Sequence, residues 1–131
     1  MRLPTLLAAA SLLLAGGFAT ELFAAQCMQA GGENEIAEGR LSVGHFEDAA
    51  GRPETAYIVT LPADTCLTGE EENDQIDSAK TIHIFGSSDA VHATIDKFVG
   101  QDVMVRGMPF GAMTVHHHAP IVMDITEIDG L

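Results

Sequence analysis

Hydrophobic and polar positions alternate along most of this chain, which is the period of half-buried strands. Ile36 to Phe46 reads as a first strand, with Leu41 and Val43 on one face and Arg40 and Ser42 on the other. Ala56 to Leu61 is a second, rich in β-branched and aromatic residues and ended by Pro62. Thr81 to Phe85 is a third, with Ile82 and Ile84 on its buried face. The period then changes. Val91, Ile95 and Phe98 recur at i, i+4 and i+7, Ser87 or Ser88 can cap the start, Asp89 suits the first turn, and Gly100 suits the left-handed stop of a helix. Gln101 to Met108 returns to alternation through Val103 and Val105, and residues 109–118 read as loop. Ile121 to Ile128 is the last strand, opened by Pro120, with Ile121, Met123 and Ile125 on one face.

The expected order is β-β-β-α-β-β, mainly β. Five strands with a helix between the third and the fourth predict a small OB-like Greek-key barrel, the helix stripe closing one end. In such a barrel the third and fifth strands lie side by side in parallel. Between the elements lie a polar turn from Glu47 to Glu54, holding Gly51 and Pro53, and an acidic loop from Thr68 to Asp77.

The N-terminus follows a different pattern. Arg2 is followed by an apolar run from Leu6 to Ala15, then Gly16-Gly17, then small residues at Ala19, Ala24 and Ala25. That is the order of a secretory signal peptide, here residues 1–25, leaving one domain over residues 26–131. Leu22 and Phe23 are bulky for the −3 position of cleavage at Ala24 or Ala25, and Gly17-Phe18-Ala19 is the other available site. An uncleaved anchor is the alternative, but the strongly apolar core is nearer ten residues than the ~20 a span needs. Gln26 before Cys27 argues against lipidation. Export to the periplasm or beyond is therefore expected, with no stable membrane span after cleavage.

Composition narrows the partners. With 6 Lys and Arg against 19 Asp and Glu, the formal charge is −13. Nothing there releases counterions from a phosphate backbone, so nucleic acid is excluded as a partner. The chain has two cysteines, Cys27 and Cys66, which in an oxidising compartment read as a disulfide. Closing a loop of about 40 residues restrains the unfolded chain by about 4 kcal/mol. A metal-thiolate or redox pair would call for the close C-x-x-C spacing, absent here.

A family resemblance rests on three stretches. Cys27, the run Arg52-Pro53-Glu54-Thr55-Ala56-Tyr57-Ile58-Val59-Thr60-Leu61-Pro62, and Cys66-Leu67 resemble the first half of an uncharacterised bacterial family, domain of unknown function 4431. Val99 to Gly107 is similar to its second half, and Phe110-Gly111-Ala112-Met113-Thr114-Val115-His116-His117-His118-Ala119-Pro120-Ile121-Val122 is the most recognisable stretch. The resemblance implies an exported bacterial protein with an OB-like barrel and brings no activity with it. Many relatives carry a further His where Met113 stands, which weakens any shared metal role.

The candidate chemistry is concentrated in His116-His117-His118. In an extended segment His116 and His118 share a face while His117 points away. Imidazoles suit zinc or copper, and His83, near the start of the neighbouring third strand, is the candidate third ligand, with Met113 a soft donor for copper(I). Against this stands a loop in which the histidines bond backbone carbonyls and Thr114. A third reading is a ligand or partner surface made by Tyr57, Thr114, His116, His117 and His118, with residues 47–54 and 111–118 around it. Glu70 to Asp77 lacks the spacing of a calcium loop and reads as solvated. His45, His83 and His92 are scattered singly, and no Gly-x-Ser-x-Gly elbow or phosphate loop is present. The chain is therefore expected to be a non-enzymatic binding or interaction module of the bacterial envelope, its partner an envelope protein or small ligand. A histidine-dependent zinc or copper protein is the alternative. No other cofactor is expected.

Overall fold

A computed structural model describes Gly16 and residues 26–131, so the expected signal peptide over 1–25 lies outside the described residues apart from Gly16. The five expected strands are present and longer than the pattern alone suggested. A two-residue strand β1 (Met28–Gln29) is followed by β2 (Glu35–Glu47), β3 (Pro53–Thr68), β4 (Ile76–Gly86), helix α1 (Asp89–Ile95), β5 (Asp102–Gly111) and β6 (Ile121–Gly130).

Pairing closes the sheet on itself. β2 pairs antiparallel with β3 and β5, β3 with β4, and β5 with β6. β4 and β6 complete the ring in parallel, with Ile82 opposite Ile121 and Ile84 opposite Met123. The result is a closed five-stranded barrel of β2 to β6, consistent with the OB-like order. β1 adds a sixth strand outside it, parallel to the end of β3, with Met28 opposite Leu67. Next to that pair Cys27 and Cys66 form the expected disulfide, with Cα atoms 4.5 Å apart.

The alternating positions fill the interior. Leu41, Val59, Ile82, Ile84, Val103, Val105, Ile121, Met123 and Ile125 are all fully buried there. α1 closes one end: Ile95 is fully buried in the same cluster, with Val91 and Phe98 packed against it. Ser88 caps the helix by accepting from the Val91 N–H at 3.2 Å, and Gly100, at φ +85°, takes the left-handed turn that leads into β5. The last turn tightens into a 3-10 helix over Asp96–Phe98.

Three boundaries differ from expectation. β3 does not end at Pro62 but runs on to Thr68. Its pairing with β2 stops at Thr60 and its pairing with β4 shifts register between Thr60 and Thr65, so the missing N–H of Pro62 falls where no regular ladder requires it. The acidic segment is not all loop: Glu72–Asp74 forms a 3-10 turn and β4 begins at Ile76. β5 continues through Pro109 and Phe110 to Gly111, shortening the histidine loop to residues 112–120. Gly111 marks the junction. A Cβ there would lie 1.5 Å from the Asn73 carbonyl oxygen, and the Gly111 N–H donates to Asp74 Oδ1 at 2.8 Å. Among the described residues no helix is long and apolar enough to cross a membrane.

Candidate functional site

The β2–β3 register places Glu54 directly opposite Phe46, and these two neighbours receive the end of the histidine loop. The His118 ring stacks on Phe46 with centroids 4.1 Å apart and planes 6° from parallel. From there its Nε2 meets Glu54 Oε2 at 2.9 Å. His116 reaches the other oxygen, Nδ1 to Oε1, at 2.6 Å. His116 and His118 thus converge, as the spacing suggests, and the group at their meeting point is the Glu54 carboxylate. Beneath them Ala56, Ile58 and Ala119 form a small apolar cluster with Phe46 on the outside of the barrel.

His83 lies at the same place because β4 and β6 run in parallel. Its Nδ1 accepts from the His118 N–H at 3.2 Å. His117 turns away from Glu54 and ties the loop internally: its Nδ1 accepts from the Met113 N–H at 2.9 Å and, more weakly, from the Thr114 N–H at 3.3 Å. Thr114 returns two bonds, its Oγ1 accepting from the His116 N–H and its carbonyl from the His117 N–H. The side chains of Met113 and Val115 remain outside, 65% and 61% exposed.

The proton affinities follow from these contacts. The bonds from His118 and then His116 hold the Glu54 carboxyl below its usual range, against a smaller effect of burial. Burial, then the neighbouring His118 and His117, push His83 down to about 4. His117 is lowered as well, by burial first and by His116 and His118 next. A neutral ring is what both bonds need, since a protonated Nδ1 would face an N–H donor.

Tyr57, read as part of the same surface, is placed elsewhere. Its O–H donates to Asp96 at the end of α1, and its ring meets His92 edge-on at 5.7 Å. Burial, then Asp96, raises the phenol to about 12. His92, one of the singly scattered histidines, is exposed, yet its Nδ1 accepts from the Gly86 N–H at 3.1 Å. The expected metal set of His83, His116 and His118 does not assemble as a ligand cluster. His83 Nδ1 faces a backbone N–H, the other two rings face Glu54, and among the described residues no three His, Cys, Asp or Glu are placed to hold a metal ion. Sequence reading did not single out Glu54 or Asp96. Glu54 entered only as one of residues 47–54 around the expected surface, at the start of a strand beside a turn.

The segment that carries this loop is also the segment with a recognisable relationship. Residues 81–129 match the family model described as Domain of unknown function (DUF4431). The matched segment runs from Thr81 in β4 through α1, β5 and the histidine loop to Asp129 in β6. It contains His83 and all three loop histidines, while Glu54 and both cysteines lie outside it. No curated protein and no solved structure matches the chain.

Proposed function

We propose that the chain is an exported, non-enzymatic binding module of the bacterial cell envelope, and that residues 112–118 are its partner-facing surface. The supporting observation is how the loop uses its histidines. His116 and His118 bond to Glu54, and His117 bonds back to Met113 and Thr114. The loop is thereby fixed before any partner arrives, with the Met113 and Val115 side chains held out in water. A pre-ordered loop loses less conformational entropy on binding, and apolar side chains held in water are the part that gains by being covered. The disulfide fits an oxidising compartment.

Zinc or copper binding at the histidine loop, through His116 and His118, is the alternative. Two imidazoles, each within hydrogen-bond distance of the Glu54 carboxylate, favour it. Metal content after native purification tests it, with His116→Ala/His118→Ala as the comparison. For the leading reading, the protein serves as bait in an envelope extract beside Met113→Ser/Val115→Ser and a control, Ile36→Ser, on the exposed start of β2. Capture of one protein, lost in the loop variant and kept in the control, is the expected result. Capture that ignores the loop change removes the loop from the reading.

A further inference from the structure

Where β2 and β3 separate, a strand edge is left over. Their pairing ends at Arg40 opposite Thr60. Toward its start β2 continues from Gly39 back to Glu35 beside β5 alone. β3 runs on from Leu61 to Thr68, held to β4 through shifted register and with no β2 partner. The gap between them holds two adjoining clefts of about 540 and 460 Å³, which share Glu38, Leu61 and Pro62 as walls. Cys27 and Met28 close its far end, where β1 pairs with Leu67 of β3.

The β2 side of this gap carries free backbone groups. The Leu41 N–H donates to the Gln101 carbonyl and the Leu41 carbonyl accepts from the Gly100 N–H, so both groups of Leu41 turn toward β5. The β2–β5 register runs without a shift from Arg40 to Glu35. By alternation Gly39 and Ala37 also bond toward β5, whereas Glu38 and Ile36 turn N–H and C=O into the gap. Neither has a ladder partner on that side among the described residues. Met28, Ala37 and Leu61, all buried, form an apolar floor.

Charge then selects the occupant. Glu35, Glu38, Asp64 and Asp102 border the gap, and its one guanidinium, Arg40, is already paired with Asp102 at 3.2 Å. The whole chain carries −13, so a basic segment is attracted. A second copy is disfavoured, because two β2 edges paired antiparallel would bring their Glu35 and Glu38 carboxylates together. We infer that the gap takes up an extended basic peptide of a partner protein as an added strand. The peptide bonds to β2 through the Ile36 and Glu38 backbone. Its alternate side chains are apolar toward the floor and Lys or Arg toward Glu38 and Asp64. This site is independent of whatever the histidine loop binds.

The test is a ¹H–¹⁵N NMR titration, with amide exchange, of protein produced from the full-length sequence. The probe is the acetylated and amidated peptide Lys-Val-Thr-Val-Lys. Saturable shifts in residues 35–39 and 61–65 are expected, with exchange at the Ile36 and Glu38 amides slowed by about tenfold or more. Lys-Val-Pro-Val-Lys keeps the charge but loses the central backbone donor, and Glu-Val-Thr-Val-Glu reverses the charge. Each should bind about tenfold more weakly or worse, as should the first peptide to Glu38→Lys, a change at an exposed position. Ile36→Ser keeps the backbone groups and, like Met113→Ser/Val115→Ser, leaves the affinity unchanged. Three results overturn the proposal. They are no saturable shift, equal binding of the proline or the glutamate peptide, and Ile36 and Glu38 amides already protected in the free protein, whether by residues before Gln26 or by a second copy.

Discussion

Inside the barrel, side chains such as Leu41, Ile82 and Met123 are shut away from water, and no polar or charged residue of the described chain is fully buried with them. On the outer face between Phe46 and Ala119 the apolar cluster is smaller, and hydrogen bonds to imidazoles bring the histidine loop against it. The first region depends on apolar area, which does not titrate. The second depends in part on the His83 acceptor, which exists only while that ring is neutral. Changes in the two regions should therefore differ in reach as well as in size.

The largest effect belongs to the interior. Ile82 is fully buried and paired opposite both Val59 and Ile121. Ile82→Ala leaves a cavity where three strands meet and is expected to cost about 2–5 kcal/mol, a large share of the stability of a domain this size. Urea unfolding should show one transition, shifted as a whole, with loop and barrel probes moving together. Separate transitions would mean that the interior does not hold the loop in place.

The intermediate effect is in the outer face. His83→Ala leaves the half-buried His118 N–H without its acceptor, a loss of about 1–3 kcal/mol, and amide exchange should rise in residues 112–119 before the barrel strands respond. Acid breaks the same bond in the unaltered chain. His83 falls from 6.5 in the unfolded chain to about 4 in the fold, so below pH 6.5 the unfolded state takes up a proton that the folded state refuses. Its stabilising contribution is complete above pH 6.5, shrinks as pH falls, and is gone below about 4. Glu54, lowered from 4.5, acts in the same direction: what it contributes above pH 4.5 is lost as pH falls through its depressed value. Exchange of the 112–119 amides should rise across this window while that of β5 stays protected. Uniform exchange across both would contradict the contrast.

The same contrast explains what was readable in advance. Ile82/Ile84, Val103/Val105 and the Val91–Ile95–Phe98 stripe carry their partners' positions in their own periodicity, so the barrel order and its helical plug could be inferred locally. The cysteine pair was legible from its even number and from the expected export. Pro62 misled because a proline marks a strand end only where a ladder needs its N–H. The Glu54 contacts were out of reach for another reason. They join residues 62 and 64 positions apart and depend on the register that sets Glu54 beside Phe46. Spacing within His116-His117-His118 shows which rings share a face, but not what they face.

The smallest effect isolates the loop from everything beneath it. His117 bonds only within residues 113–117, through acceptor contacts to the Met113 and Thr114 N–H groups that are exposed to water. When His117→Ala removes the ring, water can replace it at both donors, so no buried group is left unpaired. What remains is the loss of edge contacts with Phe110 and His83, whose ring centroids lie 5.5 and 6.2 Å away. Global stability should change by about 0.5 kcal/mol or less, as for other surface substitutions. The loop itself should still loosen, with amide exchange at Met113 and Thr114 rising while His118 stays protected by His83. If partner capture falls in this variant although the fold and the Met113 and Val115 side chains are intact, the histidine's contribution to binding is the ordering of the loop before contact. Capture unchanged by His117→Ala but lost with Met113→Ser/Val115→Ser would assign binding to the two apolar side chains alone, and the neutral imidazole would be a matter of folding.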